Sequence, residues 1–264
     1  MPFAHVNGID IRYEDSGGDG PTVLFSHGFL MDHTMFDPQV AALSDGFRCV
    51  RWDERGFGGT HTDRPFTYWD SADDAVGLLD HLGIDQAVFV GMSQGGFLSM
   101  RAAIAHPDRV RAIVLLDSSA DPDDDEMNDG NRAMVHVLTA GTPEARARVW
   151  HVVAGVLLGD DALSAHWIPR WDTIDDAQLT LAGECLVGRD DLTPQLGEIA
   201  CPVLSIHGTD DQPIAMERAE ALAAALPDSR GLLRIEGGSH AANLTHPSEV
   251  NAALADFLRV TSGM

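Results

Sequence analysis

Short, unbroken apolar runs recur along the chain and are separated by stretches in which apolar residues return at helical spacing. Runs of this kind, rich in β-branched residues, indicate strands that are buried on both faces of a parallel sheet. The predicted strands are Val23–Ser26, Arg48–Trp52, Ala87–Gly91, Ala112–Leu116, Val203–His207 and Gly231–Ile235. The predicted helices are Asp73–Leu82, Gly95–His106, Met216–Leu226 and Ser248–Val260. This alternation predicts an α/β fold in which helices flank a mostly parallel, twisted sheet.

The N-terminal region predicts a different local structure. The segment Ile9–Tyr13 reads as a strand, and the glycine-rich segment Gly17–Pro21 follows it. Clustered glycine and proline are typical of a tight turn. We therefore expect an antiparallel hairpin that enters the sheet here.

The alternation of strands and helices stops after Ser119, where the acidic run Asp121–Glu126 opens a different segment. From there to Gly197 the pattern predicts short helices without an intervening strand. We therefore predict a core of residues 1–119 and 198–264 with a helical cap inserted at residues 120–197. An independent helical domain is the alternative, but the return to a predicted strand at Val203 fits an insertion better.

Composition narrows the class of protein. With 264 residues and 44% hydrophobic content, the chain can bury a sizeable core in one globular unit. The formal charge of -24, from 41 acidic and 17 basic residues, repels nucleic acid and anionic membrane surfaces, so neither is an expected partner. Neither a signal-peptide pattern nor a membrane-length apolar run is present, and the three cysteines are scattered. These features predict a soluble cytoplasmic protein and leave its oligomeric state open.

The sequence Gly91-Met92-Ser93-Gln94-Gly95 has the G-x-S-x-G pattern and lies between a predicted strand and a predicted helix. A serine on a sharp strand-to-helix turn needs neighbours without Cβ atoms, because a side chain there would collide with backbone. The helix N-terminus would direct free N–H groups and a partial positive charge toward any anion that forms beside Ser93. This context predicts a nucleophilic serine.

Four segments together resemble the α/β-hydrolase family. They are Ser26–Phe29, Asp53–Gly58, the turn around Ser93, and Gly238–His240. The resemblance extends over residues 5–119 and 198–260, and it implies the fold predicted above. It also implies a serine hydrolase whose catalytic residues follow the chain order serine, acid, histidine.

The chain has twelve histidines, and the resemblance favours His240 as the general base. His240 follows a final predicted strand and would lie at the carboxyl edge of the sheet, where open α/β folds place their sites. A serine hydroxyl needs such a base, and the base needs an orienting acid. The family pattern, with the acid three positions after a glycine, selects Asp211, and its neighbour Asp210 is the competitor.

The resemblance also assigns two oxyanion donors, the backbone N–H groups of Phe29 and Gln94. The Gln94 side chain departs from the apolar residue often found after the nucleophile, so it either contacts substrate or packs at the start of the helix. His27, Asp53 and Arg55 are expected to fix loops around the pocket. Apolar and aromatic cap residues, if they do not simply form the cap core, would roof a mostly apolar pocket. They are Met134, Val137, Leu138, Trp150, Val153 and Trp167.

No metal or cofactor is expected. The acidic run fails as a calcium loop, since Glu126 stands where that loop needs glycine. The leading hypothesis is therefore a hydrolase of small neutral carboxylic esters or lactones that works through an acyl-enzyme. Enol-lactone hydrolases and cofactor-free perhydrolases, whose tails resemble His240–Asn243 followed by Pro247, are alternatives on the same residues. A receptor with negligible turnover and a lyase that cleaves cyanohydrins are alternatives of other classes.

Overall fold

The computed structural model describes residues 2–263, so residues 1 and 264, the ends of the predicted core, lie outside it. Eight strands form one sheet in the order β1-β2-β4-β3-β5-β6-β7-β8. The first two pairings in this order are antiparallel and the remainder are parallel. The strands are β1 Phe3–Val6, β2 Ile9–Asp15, β3 Thr22–Ser26, β4 Arg48–Trp52, β5 Ala87–Met92, β6 Val110–Leu116, β7 Val203–Gly208 and β8 Ser229–Ile235.

Ten helices surround this sheet or follow its strands in the described residues. They are α1 Asp37–Leu43, α2 Tyr68–His81, α3 Gln94–Ala105, α4 Asp125–Ala140, α5 Pro143–Leu157, α6 Asp161–Trp171, α7 Asp176–Val187, α8 Met216–Ala225, α9 Ala242–Thr245 and α10 Pro247–Ser262. Short 3-10 helices span His33–Phe36 and Thr193–Glu198. The predicted fold class is confirmed, with strand ends that differ by one or two residues from the predicted ones.

Alternate residues of the central strands face opposite sides of the sheet, and both sides are covered. On β5, Val88 and Val90 belong to the core beneath α1 and α10, whereas Phe89 belongs to the core beneath α2, α3 and α8. All three side chains are fully buried. Burial on both faces explains why these strands are unbroken apolar runs in the sequence.

The predicted N-terminal hairpin is wrong in its turn. Strand β2 pairs with β1 through Asn7-Gly8, where both residues have positive φ (50° and 81°), as the favoured two-residue hairpin turn requires. The segment Gly17–Pro21 instead leads from β2 to β3, and β4 lies between these two strands.

Helix α2 begins five residues earlier than predicted, at Tyr68. Thr67 precedes it, and its side chain accepts a hydrogen bond from the Asp70 N–H while the Asp70 carboxylate accepts one from the Thr67 N–H. This reciprocal capping box satisfies two backbone donors that would otherwise lack partners at the helix start. The cap therefore sets the first turn, which the apolar periodicity alone does not reveal.

The segment between β6 and β7 consists of α4, α5, α6 and α7, and in the described residues it contains no strand. We call α4–α7 the four-helix segment. Buried tryptophans from α5 and α6 lie at its centre, with the Trp150 and Trp171 ring centroids 5.7 Å apart. The division of the chain into a core and a cap at residues 120–197 stays a prediction.

Candidate active site

Ser93 lies between the end of β5 and the start of α3, with φ 51° and ψ −113°. A Cβ atom on Gly91 would collide with the carbonyl of Gly95, and one on Gly95 would collide with the carbonyl of Ser26. The two glycines therefore allow a close backbone approach that holds Ser93 in a strained conformation. The turn presents the serine side chain at the carboxyl edge of the sheet.

His240 lies between Ser93 and Asp211. Its Nε2 atom is 3.0 Å from the Ser93 Oγ atom, and its Nδ1 atom is 2.8 Å from the Asp211 Oδ2 atom. All three residues are less than a tenth exposed. The arrangement gives the serine hydroxyl an acceptor for its proton and gives the histidine a fixed orientation.

The structure places Asp211 beside His240 and leaves Asp210 exposed to solvent. The second oxygen of the Asp211 carboxylate accepts the backbone N–H of Ile214 at 2.9 Å. Asp210 donates its own backbone N–H to the carbonyl of Gly238 and so joins two loops. This placement favours Asp211 as the acid of the set.

Burial and charge act in opposite directions on His240. Burial disfavours the imidazolium, but the Asp211 carboxylate, with a smaller contribution from Asp117, favours it, and the pKa of His240 is raised above its usual 6.5. A raised pKa means that the ring accepts a proton readily, as a general base must. It also means that the ring becomes protonated, and unable to act as a base, at a higher pH than a free histidine.

Phe29 and Gln94 follow the carboxyl ends of β3 and β5, which are neighbours in the sheet. Gln94 is the first residue of α3, and the first N–H groups of a helix have no partner within it. The Gln94 side chain is buried and does not line the cavity beside Ser93, so the structure favours packing over substrate contact. It bonds instead to Tyr68 and Glu54.

The three residues expected to fix loops are themselves held by hydrogen bonds. Asp53 accepts hydrogen bonds from the backbone N–H groups of His33 (2.9 Å) and Gly59 (2.7 Å), and Arg55 pairs with Asp74. The Nε2 atom of His27 accepts the backbone N–H of Glu54 at 2.9 Å. The ring proton is therefore on Nδ1, which donates to the carbonyl of Gly28 at 2.8 Å.

A cavity of about 860 Å³ opens beside Ser93 and His240. Its walls are mostly aliphatic and come from the loop after β3 and from α4 and α5. Three charged residues also line it: Asp123 and Arg189 neutralise each other through an ion pair of 2.8 Å, and Arg148 lies at an exposed position. An apolar cavity with few polar groups is typical of a small-molecule site.

The predicted roof of the pocket needs correction. Met134 lines the cavity, as do Val137 and Val153, but Leu138, Trp150 and Trp167 do not. The last three are fully buried inside the four-helix segment and its contact with the sheet. Their size and hydrophobicity serve packing between helices, which an apolar pattern cannot distinguish from the lining of a pocket.

Asp117, at the end of β6, is a site residue that the sequence analysis missed. Its carboxylate accepts the backbone N–H of Gly208 at 2.8 Å and that of Ala242 at 3.0 Å, and so joins the loops that carry Asp211 and His240. Burial, together with the charge of Asp211, raises the pKa of Asp117 well above its usual value. Its position directly after a predicted strand was the signal that could have identified it.

Two clusters in residues 2–263 bring together side chains of metal-ligand type. They are Asp32, His33 and Asp53, and Asp117, His207 and Asp211. Their carboxylates already accept hydrogen bonds within the protein, and one cluster includes the acid beside His240.

Burial raises the pKa of the Cys49 thiol to about 12, and that of Cys201 to about 11, so neither is an activated nucleophile. No helix in residues 2–263 is long and apolar enough to cross a membrane.

The sequence and the fold of this chain are similar to those of known proteins. A family model for the alpha/beta hydrolase fold matches residues 21–247. A bifunctional esterase/perhydrolase of Acinetobacter calcoaceticus is 28% identical, over 96% of this chain and 97% of its own. The enol-lactonase of Burkholderia xenovorans LB400 superposes with a TM-score of 0.87 at 28% identity, over 97% and 99% of the two chains. A thermophilic esterase of Thermogutta terrifontis superposes with a TM-score of 0.89 at 27% identity, over 99% of this chain and 98% of its own. These matches confirm the predicted resemblance and the prediction of a hydrolase.

Proposed function

Because the chain belongs to the α/β-hydrolase fold family, we propose that it is a serine hydrolase that cleaves carboxylic esters or lactones of small neutral substrates. The observation that carries this proposal is the aligned set of Ser93, His240 and Asp211 at the wall of an apolar cavity. The similarity to an esterase and to an enol-lactonase supports the class of bond that is cleaved.

In the acylation step, the Ser93 Oγ atom attacks the carbonyl carbon of the substrate as His240 Nε2 takes the hydroxyl proton. Asp211 stabilises the imidazolium that forms and keeps its Nδ1–H pointing away from the serine. The carbonyl oxygen becomes an oxyanion that receives hydrogen bonds from the backbone N–H groups of Phe29 and Gln94. When the carbonyl re-forms, the ester C–O bond breaks, and His240 returns the proton to the leaving alcohol.

Deacylation repeats these steps with water as the nucleophile. His240 takes a proton from water as the water oxygen attacks the acyl carbon, and a second oxyanion occupies the same two donors. Its collapse breaks the bond to the Ser93 Oγ atom, which regains a proton from His240 as the acid is released. In a lactone the leaving alcohol and the acyl group belong to one molecule, so a hydroxy acid is the product.

The cavity supports neutral substrates with apolar groups. Its aliphatic walls favour apolar substituents, while a charged group would lose hydration there unless it found a partner. The volume exceeds what a short ester fills, so we include longer acyl chains among the expected substrates. A panel of p-nitrophenyl esters from acetate to dodecanoate, with simple lactones, measures this preference directly.

Covalent trapping of Ser93 tests the proposed nucleophile. A fluorophosphonate forms a tetrahedral adduct that resembles the transition state, so we expect one adduct by intact mass, on Ser93 by peptide mapping. Ser93→Ala should lose the adduct and lower kcat at least about a thousandfold. Ser248→Ala, which changes an exposed serine on α10, should keep both. An adduct on another residue would refute the assignment, and wild-type protein with neither adduct nor turnover would favour a receptor.

A perhydrolase is the second candidate, because a relative with that activity in its name aligns over nearly the whole chain. Hydrogen peroxide would replace water in deacylation, and the product would be a peracid in place of the acid. Adding peroxide to the ester assay separates the two activities. Peracid formation that depends on Ser93 would establish this second activity.

A further inference from the structure

Glu54 lies behind the predicted oxyanion site, in the loop after β4, and is 1% exposed. Its Oε2 atom accepts a hydrogen bond of 3.1 Å from the Gln94 side-chain amide, and the oxygen of that amide accepts one of 3.2 Å from the Tyr68 hydroxyl. This chain of contacts joins the loop after β4 to the first residues of α2 and α3. The side chain that follows the nucleophile is thereby held at both ends.

The backbone of Glu54 is connected to the loop that carries Phe29, the other predicted oxyanion donor. Its N–H donates to His27, whose Nδ1–H donates to the carbonyl of Gly28, the residue before Phe29. Glu54 therefore contacts the supports of both predicted oxyanion donors. A sequence pattern does not reveal this, because Glu54 is forty positions from Gln94 and reads as a solvated charge.

The surroundings of Glu54 favour its neutral form. Burial and the nearby Asp74 carboxylate raise the pKa of Glu54 well above its usual value, and the one donor from Gln94 does not offset them. Its Oε1 atom has no hydrogen-bond partner in residues 2–263. The Tyr68 hydroxyl and the Cys185 thiol interact electrostatically with Glu54, and Asp70, Arg101 and Arg189 act on one or both of those groups. Arg55 follows Glu54 in the same loop, and the His27 ring accepts the Glu54 backbone N–H.

None of these cations pairs with Glu54. Arg55 pairs with Asp74, Arg101 with Asp190, and Arg189 with Asp123. An ionised Glu54 would thus be a buried charge without a counter-ion, directly behind the nucleophile turn. Such a charge is costly enough to disturb the contacts around it.

We propose that Glu54 is a positioning residue that holds the Gln94 side chain and thereby fixes the Gln94 backbone N–H toward the developing oxyanion. The role rests on the acyl-transfer function proposed above. Loss of the Glu54 acceptor would release the Gln94 side chain and lower kcat. The effect belongs to the transition state, so KM should change little.

Variants of Glu54 separate the hydrogen bond from the charge. Glu54→Gln keeps an acceptor for Gln94, so kcat at pH 7 should stay within about twofold of wild type at similar KM. Glu54→Met removes the acceptor and should lower kcat about ten- to a hundredfold at similar KM. Glu217→Gln, at an exposed position on α8, should keep the wild-type kcat and KM.

A double variant tests whether Glu54 acts through Gln94. Gln94→Met removes the side chain that Glu54 holds, and with it the acceptor of the Tyr68 hydroxyl, so this variant serves as the background for the comparison. If Glu54 acts through Gln94, Glu54→Met should lower kcat about ten- to a hundredfold in wild type but less than about twofold in the Gln94→Met background. Thermal unfolding of each variant shows whether it is folded at the assay temperature.

The outcomes distinguish this proposal from the function on which it rests. A kcat in Glu54→Gln that falls as far as in Glu54→Met, while wild type still turns over esters, would overturn the role of the hydrogen bond and leave the hydrolase intact. Unchanged kcat in Glu54→Met, or an equal fold-loss from Glu54→Met in wild type and in the Gln94→Met background, would overturn the positioning role. Wild-type protein without ester turnover and without a Ser93 adduct would overturn both.

Discussion

Ser93 and Asp117 share an uncommon backbone state. Both have positive φ (51° and 48°) directly after neighbouring parallel strands, β5 and β6. A non-glycine residue in this region costs on the order of 1–3 kcal/mol and persists where its surroundings hold it. Here the carbonyl of Ser93 accepts the Ser118 hydroxyl at 2.9 Å, and the Asp117 carboxylate accepts two backbone N–H groups. The two strained residues and the hydrogen bonds that hold them therefore lie together at the candidate site.

Replacing Asp211 by asparagine should separate the two neighbouring acids. Asp211→Asn keeps the shape of the side chain but loses the charge that orients His240, so kcat should fall about 10³–10⁴-fold with little change in KM. Asp210→Asn is the matched control, because Asp210 is exposed and its backbone N–H makes the bond to Gly238. It should change kcat less than about twofold. Steady-state kinetics in which Asp210→Asn is the more damaging change would move the acid to Asp210.

The same pair of variants gives a pH signature. In wild type, kcat/KM should fall on the acid side through one ionisation above 6.5, because Asp211 raises the pKa of His240. Asp211→Asn removes that charge, so the acid limb of its residual activity should move to lower pH. Asp210→Asn should keep the wild-type limb. A wild-type rate that stays flat down to pH ~4 would contradict a histidine base.

At the scale of elements, the sequence predicted the structure wherever burial repeats regularly. The central strands were found because both faces of β5 are covered, and α10 was found because one face carries buried Val250, Leu254 and Leu258. The turn at Asn7-Gly8 and the early start of α2 at Tyr68 were missed, because single capping and turn residues decide them. Hydrophobic periodicity does not record such local hydrogen bonds.

The ends of the four-helix segment are joined by a charge cluster that explains part of the acidic run. Asp123, before α4, pairs with Arg189, after α7, and with Arg218 of α8. The Asp123 and Arg189 side chains are 8% and 3% exposed. Although burial opposes its charge, hydrogen bonds from Arg189 and Arg218 lower the pKa of Asp123 below its usual value.

Asp123→Asn should therefore destabilise the protein by about 3 kcal/mol, the scale of removing one partner of a buried ion pair. Asp129→Asn, which breaks an exposed pair with Arg132, should cost about 0.5 kcal/mol or less. A lowered pKa stabilises the fold above the unfolded value of 3.8 and loses that effect as the pH falls through the folded value. Urea unfolding at pH 7 and near pH 3 measures both trends. Equal losses in the two variants at pH 7 would contradict the structural role of the cluster.

At the scale of the whole molecule, strand order determines where the site forms. The chain leaves β3 for β4 on one side and returns to β5 on the other, so the loops after β3 and β5 diverge at a switch point. Phe29 and Ser93 lie on those loops. Ser93, His240 and Asp117 each follow a predicted strand, so the sequence holds a signal for their place at this edge, whereas the contacts of Glu54 between loops form only in the folded chain.

Net charge and one cavity arginine act in opposite directions on an anionic substrate. The formal charge of -24 repels anions over a distance that salt shortens. Arg132, Arg146 and Arg170 are engaged by carboxylates of the protein. Arg148 lines the cavity, is exposed, and has no ion pair or hydrogen bond within residues 2–263. A carboxylate on a substrate could therefore find a partner at Arg148 and nowhere among the other three.

We predict that the field of the whole molecule outweighs this single arginine. Neutral esters and lactones should have a higher kcat/KM than carboxylate-bearing analogues of the same size, and added salt should narrow the gap because it screens the repulsion. Matched pairs of substrates assayed at low and high ionic strength measure this. Arg148→Gln should widen the gap. Arg132→Gln removes the same charge from a residue that does not line the cavity, so it should widen the gap less. A preference for the anionic member that weakens with salt and disappears in Arg148→Gln would reverse the prediction, and would make a carboxylate-bearing lactone the preferred substrate class.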